Sequence, residues 1–201
     1  MSSLRTETIS VQNLGLLEYE SAWQLQREIQ AGVIAGLTPN TLLLLEHPPV
    51  FTAGRRTSEL DRPTDGTPVI NVDRGGKITW HGPGQIVGYP IVKLKNGNDV
   101  VGFVREIENA LIEVCKEFGV NAERYCERTG VWIRDAKGVT MHGFALNVNP
   151  DLSWFTRIIP CGIPDVEVTS LSVELGRNIS IVEILDSVTR NITSALGKVA
   201  E

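Results

Sequence analysis

Between Thr41 and Val92 the chain alternates short apolar runs with glycine and proline, a pattern that no long helix can follow. Thr41-Leu42-Leu43-Leu44-Leu45 is a continuous apolar run, which suits a strand covered on both faces. Pro48 and Pro49 end it, and Val50 to Gly54 can resume as a second strand. Val69 to Val72, Lys77 to His81 and Gln85 to Val92 follow as three short β segments. Gly75-Gly76 and Gly82-Pro83-Gly84 separate them as turns. Thr6 to Leu14 reads as an opening strand, and Gly130 to Ile133 and Val139 to Val148 as two later ones.

Helical spacing takes over elsewhere. Ala22, Leu25, Ile29, Val33 and Ile34 predict a helix over Glu18 to Ala35. Val100, Val104, Ile107, Leu111, Val114 and Phe118 form one stripe of a helix over Asp99 to Phe118, capped by Asn98 or Asp99. Cys115 lies beside that stripe and reads as core. A last helix starts at Ser180, with Glu183 completing a capping box. The expectation is one α+β domain over residues 1–201, a mixed, largely antiparallel sheet backed by helices.

Charge and cysteine content narrow the chemistry. A formal net charge of -5 argues against a nucleic-acid partner, which would need clustered Lys and Arg. Three cysteines without paired close spacing suggest free thiols rather than a disulfide framework or a zinc site. No basic start followed by an apolar core opens the sequence, and no apolar run is long enough for a bilayer. The expected location is cytoplasmic, with no membrane partner. No P-loop or G-x-S-x-G elbow is present, no cofactor is expected, and the histidines lack the pairing of a helix-borne metal site.

Cys161 is the candidate nucleophile. Pro160 and Gly162 take it out of any long helix or strand and onto a bend, where a carbonyl can approach. Three patches bearing glycine or proline each carry one of the three histidines: Glu46-His47-Pro48-Pro49, Arg74-Gly75-Gly76-Lys77-Ile78-Thr79-Trp80-His81-Gly82-Pro83-Gly84-Gln85, and Thr140-Met141-His142-Gly143-Phe144-Ala145-Leu146-Asn147. Glycine beside a strand end lets a ligand approach the backbone. Taken singly, each patch also reads as a tight hairpin whose histidine bonds a neighbouring carbonyl.

Together with Pro160-Cys161-Gly162, these patches resemble the octanoyltransferases of lipoate biosynthesis. The resemblance implies the fold of biotin- and lipoate-protein ligase catalytic domains. It implies transfer of an octanoyl group from octanoyl-acyl carrier protein to a lysine of lipoyl domains, as found in 2-oxoacid dehydrogenase and glycine-cleavage proteins. It makes Cys161 the site of the acyl-thioester. It makes Arg74, Gly75, Gly76, Lys77, Ile78, Thr79, Trp80 and His81, with Gly143, Phe144 and Ala145, the substrate-binding segments. Both partners are acidic in that family, so Arg55, Arg56, Arg74 and Lys77 are candidates for a basic rim.

The resemblance fails at one place. The family carries a strand opening on a catalytic lysine between its Gly-Val-Trp/Tyr-Ile strand and its Val-Thr-Met-His-Gly strand. Here Gly130-Val131-Trp132-Ile133-Arg134-Asp135-Ala136 runs directly into Lys137-Gly138-Val139-Thr140-Met141-His142. Counted back from His142, Lys137 falls on the basic residue just before that last strand, although a sliding neighbour could bring it to the thiol. Two further readings stay open: a non-catalytic relative that binds acyl chains or lipoyl domains, and an ATP-dependent lipoate-protein ligase on the same fold.

Overall fold

The computed structural model describes residues 9–97, 99–124, 133–134, 140–141, 143–160 and 167–201. The apolar run Thr41 to Leu45 becomes a central strand of the larger sheet. That sheet has the order β1 (Ser10–Leu16), β2 (Thr41–Glu46), β6 (Gln85–Ile91) and β9 (Phe144–Asn147). β1 runs parallel to β2, while β2–β6 and β6–β9 are antiparallel. Leu42 and Leu44 join the core on one face, and Leu43 and Leu45 join the core on the other. Both faces are covered, so every leucine in the run has an apolar side to enter.

Helix α1 (Tyr19–Ile34) covers one face with Ala22, Ile29 and Val33. Helices α2 (Val100–Glu117) and α4 (Ile181–Val199) cover the other, packing Val104, Ile107 and Val114 against Ile184, Val188 and Ile192. Both helix starts follow the expected chemistry. Asp99 accepts from the Gly102 N–H at 2.7 Å, and Ser180 and Glu183 form the reciprocal capping box. Cys115 is buried in this layer, and burial pushes its thiol pKa up, which suits packing rather than reactivity.

A second sheet carries β3 (Val50–Ala53) between β4 (Val69–Asn71) and β5 (Ile78–His81). β3 is parallel to β4 and antiparallel to β5. Its core is Phe51, Ile78 and Trp80, closed by Phe155 and Ile158 at and just after a 3-10 turn over Leu152–Arg157. That turn and a short helix α3 (Leu171–Leu175) are additions to the expected elements. Together the elements make the mixed, largely antiparallel α+β arrangement.

The strand expected over Val139 to Val148 is interrupted. β8 (Thr140–Met141) pairs with β7 (Ile133–Arg134), and β9 starts only at Phe144. Between the two pieces stands Gly143, where an added Cβ would lie 1.6 Å from the Gly88 carbonyl oxygen. Backbone approaches backbone there, and only glycine permits it. Thr140 then repairs the ladder. Its N–H donates to the Val92 carbonyl, and its hydroxyl accepts from the Val92 N–H and donates to the Pro90 carbonyl at 2.8 Å.

Candidate active site

The second glycine-rich patch folds back on the end of β3. Backbone bonds run from Arg55 N–H to the Arg74 carbonyl and from Arg56 N–H to the Gly76 carbonyl, both at 3.0 Å. Gly54 makes the approach possible, since a Cβ there would meet the Gly75 oxygen at 2.5 Å. Arg74 holds this turn from within. Its guanidinium donates to the carbonyls of Gly75, Lys77 and Thr52 and to the Thr52 hydroxyl, at 2.8–3.0 Å. A planar fork with five donors is suited to stitching several carbonyls together.

Lys77 is engaged as well. Its ammonium lies 3.2 Å from the Asp61 carboxylate, which also accepts from the Ser58 N–H. Burial acts to raise the Asp61 pKa, but the Ser58 bonds and Lys77 outweigh it and hold the carboxyl below its usual range. Arg55 and Arg56 are exposed. Of the four candidates for a basic rim, these two keep their charges toward solvent.

Strand alternation divides the rest of the segment. Ile78 and Trp80 point into the second core and are essentially inaccessible, while Thr79 and His81 lie on the other face, half-buried. Trp80 stacks on Trp154 and meets Phe155 edge-on. In these two residues the backbone, rather than the side chain, is what a ligand could reach. In the third patch Phe144 is buried against Gly88, whose added Cβ would lie 2.2 Å from the ring, and Ala145 is exposed.

Polar side chains join the patches. Glu46 accepts from the Gly84 N–H at 2.7 Å, tying the first patch to the second. His81 Nδ1 lies 2.6 Å from Gln85 Oε1, and Gln85 Nε2 donates to Asn147 Oδ1 at 2.8 Å, tying the second to the third. The segments Arg74 to His81 and Gly143 to Ala145 are thereby bridged across the two sheets. His47 is fully buried, with Nδ1 donating to the Leu17 carbonyl at 2.7 Å and Nε2 accepting from the Tyr89 hydroxyl at 2.8 Å. Burial lowers its pKa more than the Leu17 bond raises it. His81 is lowered further, again chiefly by burial and against the pull of Gln85, with the nearby positive groups adding to the effect.

Cys161, Lys137 and His142 lie outside the described residues. The chain on both sides of Cys161 is anchored at the site. Upstream, Ile158 packs in the Trp80 cluster and the Ile159 N–H donates to the Asp61 carbonyl at 3.3 Å. Downstream, the Thr169 carbonyl accepts from Asn147 Nδ2 at 3.0 Å. Sequence reading gave no role to Gln85, Asn147, Glu46 or Asp61. The first three stand in or beside the glycine-rich patches, which was the available signal; Asp61 had none.

The family model for the lipoyl protein ligase A/B catalytic domain matches residues 18–193. An octanoyltransferase of Acidothermus cellulolyticus is 57% identical, covering 94% of this chain and 92% of the relative. One from Mycolicibacterium smegmatis is 52% identical, covering 98% and 93%. Those alignments run over 203 and 214 positions, more than the 201 residues of this chain, so gaps fall in it. A bi-partite lipoate protein ligase of Thermoplasma acidophilum has the same fold, with a TM-score of 0.68 at 15% identity over 94% of this chain and 84% of that one. With a matching family model and relatives sharing half or more of its residues from end to end, the chain belongs to the lipoyl protein ligase A/B catalytic-domain family, among its octanoyltransferases.

Proposed function

We propose that this enzyme moves an octanoyl group from octanoyl-acyl carrier protein to a lysine of lipoyl domains through an acyl-thioester on Cys161. The observation that carries the reading is the double anchoring of the Cys161 segment. Its upstream end is fixed to the Trp80 cluster and Asp61, and its downstream end to Asn147. Both anchors belong to, or adjoin, the segments that the family resemblance makes substrate-binding.

The chemistry closes without an external energy source. The Cys161 thiolate attacks the thioester carbonyl, a new C–S bond forms, and the carrier thiol leaves with the old bond's electron pair. The lysine amine then attacks the acyl-cysteine, the C–S bond breaks toward the Cys161 sulfur, and the nitrogen loses a proton. A free thiol of pKa about 8.5 is only a few per cent thiolate at pH 7, so neighbouring groups must favour the anion. Arg55 and Arg56, exposed beside the second patch, are suited to meet acidic partners.

Intact-mass measurement after incubation with octanoyl-acyl carrier protein tests the reading. The expected result is a mass increase of one octanoyl group, absent from Cys161→Ser. Acceptor labelling from free octanoate and ATP that is indifferent to Cys161→Ser would instead identify a ligase. Binding of the donor without any adduct would leave a non-catalytic relative.

A further inference from the structure

Two backbone carbonyls set the direction of the side-chain bridge between the patches. A carbonyl can only accept, so Asn147 must turn its Nδ2 toward Thr169 O, which leaves Oδ1 facing Gln85. Gln85 must likewise turn Nε2 toward the Trp80 carbonyl at 3.3 Å, the same nitrogen that reaches Asn147. Each amide is thus oriented by an acceptor of its own, and both orientations agree. Gln85 Oε1 is therefore what faces His81 Nδ1 at 2.6 Å, and only a protonated Nδ1 can serve it.

His81 is thereby held as the Nδ1–H tautomer, the opposite of the form that free neutral imidazole favours in water. Its Nε2 keeps a lone pair. Gln85 is buried, so water does not compete for the contact. Tyr19 stacks on the ring from α1 at 6.3 Å between centroids, and His47 approaches it from beyond β2 at 5.9 Å.

We propose that Gln85 and Asn147 are positioning residues, whose amide relay holds His81 with Nε2 as a hydrogen-bond acceptor for an S–H or N–H group of the reaction. The identity of those groups rests on the octanoyl-transfer reading; the tautomer does not. The relay also couples that acceptor to the chain just after the Cys161 segment, because its last link is the Thr169 carbonyl.

Long-range nitrogen–proton spectra of the ¹⁵N-labelled full-length protein, recorded without substrate, read the tautomer directly. With three histidines in the chain, a His81→Asn variant assigns the signal. The expected spectrum has a protonated Nδ1 and a bare Nε2 at His81. Gln85→Leu should convert it to the Nε2–H form and slow either Cys161 acylation or transfer to the lysine by about 10-fold or more in single-turnover experiments. The two steps, followed separately, tell whether the thiol or the amine uses Nε2. Asn147→Asp, which still accepts from Gln85 but no longer donates to the Thr169 carbonyl, should keep the tautomer. An Nε2–H tautomer in the unmodified protein overturns the proposal, as does a Gln85→Leu variant that changes neither tautomer nor rates. A correct tautomer in a protein that never gains an acyl adduct would defeat the octanoyl-transfer reading alone.

Discussion

His47 and His81 lie with ring centroids only 5.9 Å apart, and both carry the proton on Nδ1. Their surroundings give them different work. His47 is wholly enclosed and has both nitrogens occupied, one by a backbone carbonyl and one by the Tyr89 hydroxyl. His81 is half-buried, with a hydrogen bond at Nδ1 and none at Nε2 among the described residues. The first ring joins α1's entry to β6 and is scaffold. The second keeps one acceptor open beside the glycine-rich turn. Saturation of the ring nitrogens, rather than the presence of histidine in a motif, separates the two.

Removing the saturated ring should have the larger effect on stability. His47→Ala leaves the Leu17 carbonyl and Tyr89 hydroxyl without their partner in a dry core, and should cost about 3 kcal/mol by chemical denaturation. The rate per folded molecule should hardly change. His81→Ala reverses the pattern. The midpoint of denaturation should move less than in His47→Ala, since only the Gln85 oxygen loses its partner, while acyl transfer falls about 10²-fold, the scale of losing one proton-accepting group. If both variants lost stability alone, the distinction between the rings would fail.

Acid probes them together. Both imidazoles have folded pKa values below the ordinary 6.5, so the unfolded chain binds protons more readily. Their contribution is complete above pH 6.5 and is lost as pH falls below it toward the depressed folded values. Denaturation midpoints at pH 5.5 should therefore lie below those at pH 7.5, before most carboxylates titrate. The smallest change sharpens the comparison most. Tyr89→Phe removes the donor to His47 Nε2 and leaves that ring, like His81, with one open nitrogen. It should cost about 1 kcal/mol and leave acyl transfer unaffected.

Much of the scaffold was legible because its signals are periodic. The stripe from Val100 to Phe118 and the run from Thr41 to Leu45 each declare a face or faces to bury, and α2 and β2 bury them within a residue or two of the expected bounds. Of the strand expected over Val139 to Val148, the described residues carry two pieces, Thr140–Met141 and Phe144–Asn147, and the backbone contact at Gly143 between them leaves no trace in apolar content. Within the site, the motifs marked where to look but not what each side chain does. Arg74 and Lys77 could be read as free charges, yet one holds its own turn together and the other is paired with Asp61.

What the linear chain determined by itself was the set of elements, the glycine-rich breaks between them and the cysteine on its bend. These depend on local backbone preference and on side-chain spacing along one element. Only the tertiary structure decided that Gln85 meets Asn147, 62 positions away, and so which nitrogen of His81 stays open. A hydrogen bond between two amides has no period and leaves no trace in composition. It exists because two sheets bring β5, β6 and β9 to one place, and because two carbonyls there can only accept.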